Sequence, residues 1–432
     1  MTRTWCGALL LALLLACPAA AATRHRAVAH PPPEPPADWL AKHAIPLATT
    51  EATGNVDDLA PLANIVGNAH VVGLGDATHG THEFFTMKVR LLQFLVERMG
   101  FDTLAVEASF PQLQRVNAYV QGGPGDPKQL LVPRAGEQPY WFWQVDEFVA
   151  VVEWMRNYNL TRGAKPALTL FGADMYDGKI TASMVLDYLN TVDKDQVQAA
   201  TTAYRCVFNG GDPTCTSLTP QINATKAITV QMEAKESDYT ARSSHQAFVD
   251  ALQASRVATE WLQGTAFFRD ISMADNVAWA KDRVSGTKKV IFWAHNEHIT
   301  RGPSAYGVIT NLPAGEMLRL TLGNDYFNIG SATWSGQFLT RPLANLATFI
   351  TPSLTAAGAD YYETFFHASR SPNIIVLLHD PHPFLAAPHR MREAGSGEFS
   401  STSPNADIVV NLPVRFDAVL FIDHSSPTTP LP

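Results

Sequence analysis

Cysteine is scarce in this 432-residue chain, with four residues at positions 6, 17, 206 and 215. No Gly-x-Ser-x-Gly turn occurs, which argues against the strained-elbow serine hydrolases. "GADMYDGKIT" (172–181) carries Ile180 where a phosphate loop needs Ser or Thr, and no dinucleotide fingerprint appears. No Lys/Arg-dense block offsets the net charge of −8, so a nucleic-acid partner is not expected. No membrane span is expected either: the apolar run Gly7–Ala16 is too short to cross a bilayer. What remains, with 46% hydrophobic and 17% charged residues, is an ordinary folded chain with a sizeable core.

That short apolar run has another reading. It follows a single Arg and precedes "PAAAA", the tripartite pattern of a secretory leader over 1–22, with Ala20–Ala22 as the cleavage site. Export to a periplasmic or secreted location is the expectation. "LLAC" (14–17) offers a lipid anchor at Cys17 as the alternative, but Leu15 and Pro18 favour soluble export. Pro-rich residues 23–38 read as an extended spacer. Cys206 and Cys215 then stand alone, nine positions apart across a Gly- and Pro-containing loop, so a local disulfide is expected in an oxidising compartment. A metal pair would need further ligands nearby.

From Trp39 onward, short apolar runs alternate with amphipathic segments. Residues 69–75, 102–108, 167–175, 288–296, 326–334, 373–378 and 416–423 read as buried strands. Phe84, Met87, Leu91, Leu95 and Met99 recur at helical spacing before Gly100, and 145–159 reads as a second helix. The pattern predicts an α/β fold: a largely parallel sheet core with flanking helices. The core is expected over 39–180 and 286–425, with a tail at 426–432. Between its halves, 181–285 has helical spacing and no strand of comparable strength, and is expected to be a helical insertion, a lid over the sheet's edge.

"VVGLGDATHGTHEFF" (71–85) places Asp76, His79, His82 and Glu83 together where a buried strand ends. The predicted strands further deliver Glu107, Asp174, His295, Asn296 and His298 at or near their exits. In parallel sheets ligands bind outside those carboxyl ends. Each residue also has a plain structural alternative. Asp76 suits a turn, His79 a buried imidazole, Glu83 the first turn of a helix, Glu107 an ion pair to Lys88 or an Arg, and Asp174 a loop cap. His82 has the weakest claim. His79-x-x-His82 and His295-x-x-His298 admit a metal, but lack the His-Glu-x-x-His helix pattern, so no cofactor is the expectation. Carboxylates and histidines without an evident nucleophile suit activation of water by a general base.

These blocks resemble the erythromycin esterase family. "GLGDATHGTHEFFTMKVRLLQFLVERMGF" and "LAVEASFP" are similar to its first two blocks. "WMRNYN", "GADM", "RDISMADN", "WAHNEHI" and "FDAVLFID" follow in the family's order. The resemblance covers about 60–424. It implies hydrolysis of a small-molecule ester or lactone, macrolides in the founding members, on an α/β core with a helical insertion. It further implies His79 as general base, Glu107 as its carboxylate partner, Lys88 as a basic position, and His295 and His298 as the late pair. Lys88, His295 and His298 are then candidate donors to the oxyanion, and Glu83, Asp174 and Asn296 candidate substrate contacts. Asp76 departs from the family's usual Glu by one methylene. The competing class is a haem- or metal-binding exported protein, or a catalytically altered relative.

Overall fold

A computed structural model describes residues 33–210, 213–303, 312–341, 348–393 and 407–432. The expected leader, the lipid-anchor position Cys17 and spacer residues 23–32 lie outside the described residues. A short helix, Pro36–His43, begins inside the expected spacer and buries Trp39 and Leu40. Proline is suited to that first helical position, where no backbone N–H is required. Residues 34–432 form one compact unit.

The strands are β1 (Ala44–Pro46), β2 (Val71–Leu74), β3 (Thr103–Ser109), β4 (Thr169–Asp174), β5 (Val290–Trp293) and β6 (Tyr326–Gln337). They continue with β7 (Ser353–Leu354), β8 (Asn373–Leu377), β9 (His389–Arg392), β10 (Asp407–Val410) and β11 (Ala418–Ser425). The main sheet has the order β1-β8-β11-β6-β2-β5-β3-β4, with β7 paired to β6. From β11 to β4 every neighbouring pair is parallel, while β8 and β1 run antiparallel at one edge. All seven expected strands are present. β9 and β10 form a separate antiparallel pair.

Alternation along the strands feeds two cores, one on each face of the sheet. Val71, Ala105, Val290 and Phe292 join one cluster, whereas Val72, Leu104, Ile291 and Trp293 join the other. The second face is covered by α1 (His82–Met99) and α2 (Asp146–Thr161). Gly100, at φ 76°, ends α1 in the left-handed conformation that glycine adopts without strain. The first face is covered by α3 (Gly178–Val192), α4 (Leu218–Ala234), α5 (His245–Gln263) and α6 (Thr265–Arg283). The segment read as an insertion thus packs across a sheet face, with α6 laid on β3, β4 and β5, rather than covering only an edge. Cys206 and Cys215 within it are disulfide-bonded. Among the described residues no helix is long and apolar enough to cross a membrane.

β2 and β3 do not pair directly, as their strand–helix–strand spacing suggested; β5 lies between them. Strands β3, β4 and β5 lie on one side of β2, and β1, β6, β8 and β11 lie on the other. The strand order reverses at β2, and in such sheets ligands bind outside the carboxyl ends of the strands at that point.

Candidate functional site

Beyond Leu74 the chain turns through Gly75 and Gly80 before entering α1. A Cβ on Gly75 would sit 2.2 Å from Asn296 Oδ1, and one on Gly80 would sit 1.8 Å from the Leu339 carbonyl oxygen. Only glycine permits such close approach, and the turn between them holds Asp76 and His79 against the exit of β5.

Asp76 is buried and anchors the first group. Lys88 Nζ donates to its Oδ2 at 2.5 Å and Trp293 Nε1 to the same oxygen at 3.3 Å. His79 Nδ1 lies 2.9 Å from Oδ1. Burial acts to raise the Asp76 pKa, but Lys88 and His79 outweigh it and hold the carboxyl at about 2. Burial drives Lys88 down to about 8, although Asp76 and Glu107 both support its charge. Its ammonium also sits 4.6 Å from the Trp293 ring centre. The His79 ring stacks on Phe142 at 4.1 Å, and the His295 ring is 5.2 Å away.

Glu107 anchors the second group from β3, beside a register irregularity between Val106 and Ser109. Arg269 Nη2, from α6, donates to Glu107 Oε1 at 2.6 Å and lies 2.6 Å from Asp174 Oδ2. Arg269 Nε donates to that Asp174 oxygen at 2.8 Å. His298 Nδ1 lies 2.8 Å from Asp270 Oδ1, and its Nε2 is 3.3 Å from Glu107 Oε1. Burial opposes charge on His298, yet Asp270 and Glu107 raise it to about 10. Burial likewise opposes charge on Glu107, and His298 and Arg269 hold it well below the usual carboxylate range.

His295 joins the two groups. Its backbone N–H donates to Glu107 Oε2 at 2.9 Å, and its Nδ1 accepts from the Glu297 N–H at 3.2 Å. Burial and the neighbouring His79 push its pKa down to about 3, so the ring is neutral at ordinary pH. With Nδ1 accepting, the ring proton belongs on Nε2, a donor beside His79.

Asp76, His79, Glu107, Asp174, His295 and His298 therefore converge on one rim. Other expected site residues have different partners. Glu83 accepts from the Ser426 N–H and Oγ, so it ties α1 to the segment after β11 rather than facing a ligand. Asn296 is buried and spent on Ser331 and Glu393. His82 turns to Glu147 at 2.8 Å. Lys88 is 1% exposed and committed to Asp76, which removes it from the oxyanion donors. Glu107 takes Arg269 and His298 as partners, where the sequence reading paired it with His79.

Sequence reasoning missed Arg269, Asp270, Phe142 and Tyr140. "RDISMADN" held the first two as adjacent opposite charges within a helix. "PYWFW" (139–143) held the aromatic pair, in a loop where such residues need a reason to be buried. Among the described residues no three or more His, Cys, Asp and Glu side chains are grouped to hold a metal ion. The rim instead offers a carboxylate-bound imidazole, a neutral imidazole donor and a ring-stacking wall, an arrangement able to activate water next to a polarised carbonyl.

Erythromycin esterase type II of Escherichia coli is 26% identical over 331 residues, covering 69% of this chain and 77% of its own length. A Bacillus cereus protein of known crystal structure shares the fold with a TM-score of 0.77 at 24% identity, over 91% of this chain and 98% of that one. A mutant of the erythromycin esterase EreC in its open conformation matches with a TM-score of 0.66 at 17% identity, over 88% and 97%. The erythromycin esterase family model spans residues 96–425, which takes in Glu107, Asp174, Arg269, His295 and His298 and leaves Asp76, His79 and Lys88 just ahead of it. With three quarters of its length matched, and with the rim and fold described above, this chain belongs to the erythromycin esterase family of hydrolases.

Proposed function

We propose that the protein is an exported esterase that opens the ester or macrolactone of a small molecule, with His79 as the general base. The observation that carries this reading is the buried series Lys88–Asp76–His79. Lys88 keeps Asp76 ionised, and Asp76 in contact with Nδ1 favours the imidazolium that forms when Nε2 takes a proton. Water then adds to the carbonyl carbon as its proton passes to His79. The carbonyl π electrons move to oxygen, and that oxyanion receives the Nε2–H of neutral His295. Collapse breaks the ester C–O bond, and the His79 imidazolium returns its proton to the leaving alkoxide. The Glu107–Arg269–Asp174–His298 network holds the His295 backbone in place. It is also a ready anchor for polar groups of the substrate.

Export is supported by the Cys206–Cys215 disulfide, a bond favoured in oxidising compartments. The test of function is mass spectrometry of a macrolide panel and simple activated esters incubated with metal-stripped protein, beside His79→Ala. Gain of one water by a substrate with wild type, and none with the mutant, is the expected result. Failure of the wild type on every ester, with or without added zinc, counts against hydrolysis by this site. A visible absorption band in the purified protein would point instead to haem.

A further inference from the structure

Most polar side-chain atoms on the rim are already engaged. Lys88 is bound to Asp76, and Arg269 to Glu107 and Asp174. His298 sits between Asp270 and Glu107. Two buried donors stand apart. His295 Nε2 has Glu393 Oε2 at 3.4 Å but no hydrogen bond, and the Tyr140 hydroxyl has none either. The Tyr140 ring packs edge-on against Phe142 at 5.7 Å, and Phe142 is the ring on which His79 stacks. A second edge contact, with Tyr176 at 6.1 Å, also holds the ring.

A buried hydroxyl left unpaired is destabilising, because it has given up its bonds to water without replacement. Such a group, one ring removed from the general base and within the field of Asp174, Arg269 and Glu107, marks a place where a ligand atom completes the bonding. We infer that Tyr140 is a catalytic residue whose hydroxyl donates to the carbonyl oxygen of the substrate ester, as the second oxyanion donor beside His295. The inference rests on the hydrolase reading and adds to it a residue outside the histidine–carboxylate set. A phenol suits the task. Burial, and Asp174 close by, raise its pKa well above the ordinary value, so it remains an O–H at every working pH. Asp174, which already accepts from Arg269 and from the Met175 N–H, approaches the phenol without completing a hydrogen bond to it, so a substrate oxygen competes only with that weaker contact. A neutral donor also adds no charge to a rim holding several ions.

The experiment compares wild type, Tyr140→Phe and Tyr204→Phe, the last removing a buried hydroxyl that bonds Ser255 within the helical segment. For Tyr140→Phe the expected result is a fall in kcat of about 100-fold with KM changed less than about threefold. Affinity for a phosphonate ester, a stable mimic of the tetrahedral anion, should drop in step. Tyr204→Phe should retain wild-type kcat. If wild type turns over and Tyr140→Phe stays within about threefold of it, the Tyr140 assignment fails while the hydrolase reading stands. No turnover by wild type on any ester removes both. Should Tyr140→Phe not fold, difluorotyrosine at 140 replaces it; its more acidic phenol is expected to move the alkaline limb of kcat toward neutral pH. An unmoved limb overturns the assignment.

Discussion

Lys88 Nζ and Asp76 Oδ2 lie 2.5 Å apart at a site where neither side chain is more than 3% exposed. Two ions removed from water this thoroughly persist because each neutralises the other, and removal of one strands its partner. Lys88→Met is therefore expected to destabilise the fold by about 3–5 kcal/mol. It should also depress kcat, because Asp76 then takes up a proton and no longer supports His79. Lys88→Met combined with Asp76→Asn should recover much of the stability and none of the activity. Urea unfolding and initial rates on the four proteins of the cycle test both statements.

The stability of the protein should fall at both ends of the pH range, for different residues. His295 has a folded pKa of about 3 against an ordinary 6.5. The unfolded chain binds that proton first, so stability falls as pH drops from about 6.5 to 3. Asp76, at about 2 against 3.8, adds a loss between roughly pH 4 and 2. His298 has the opposite sign. Its folded pKa of about 10 makes its contribution complete below 6.5 and lost as pH climbs to 10. Lys88, depressed to about 8 from 10.5, partly restores stability between those two values and so blunts the alkaline loss. Thermal melts across pH should show His298→Gln flattening the alkaline limb and His295→Asn flattening the limb below 6.5. A mutant melting curve with unchanged pH dependence would contradict the assignment for that residue.

Glu83 offers a test of structure against catalysis. Its carboxylate accepts from the Ser426 N–H at 2.8 Å and Oγ at 2.6 Å. Glu83→Leu leaves two donors unpaired and should lower stability by about 2–3 kcal/mol. With the segment after β11 still in place, kcat should remain near that of wild type. A large kcat loss with no change in melting temperature would return Glu83 to the substrate site.

The disulfide closes a small loop, so its effect is bounded. Loop-closure entropy for nine intervening bonds gives about 2–3 kcal/mol, lost in Cys206→Ser/Cys215→Ser. The bond lies in the helical segment and no rim residue touches it among the contacts described, so catalytic parameters measured well below the melting temperature should not move. Denaturant midpoints with and without reductant test the first statement, and steady-state kinetics the second.

The sequence by itself determined the strands, the caps and the type of fold. Val71–Leu74 and Val290–Trp293 are buried on both faces, and a run of apolar residues between turn formers records that burial locally. Gly100 ends α1 because its own backbone conformation requires glycine. Asp76 and His79 were legible as a pair since only two residues of chain separate them. Tertiary structure alone decided which charges meet. Glu107 and Arg269 stand 162 positions apart, and their contact depends on α6 being laid across β3 and β4. Insertion of β5 between β2 and β3 brought His295 to Glu107 and left Asn296 tied to β6. Glu83 and Asp76 look alike in sequence, as acids flanking a turn, yet one fastens the chain's last segment and the other a buried lysine. Periodicity and turn chemistry act over a few residues; the pairing of buried polar groups is set by strand order and helix docking, which no short stretch of chain encodes.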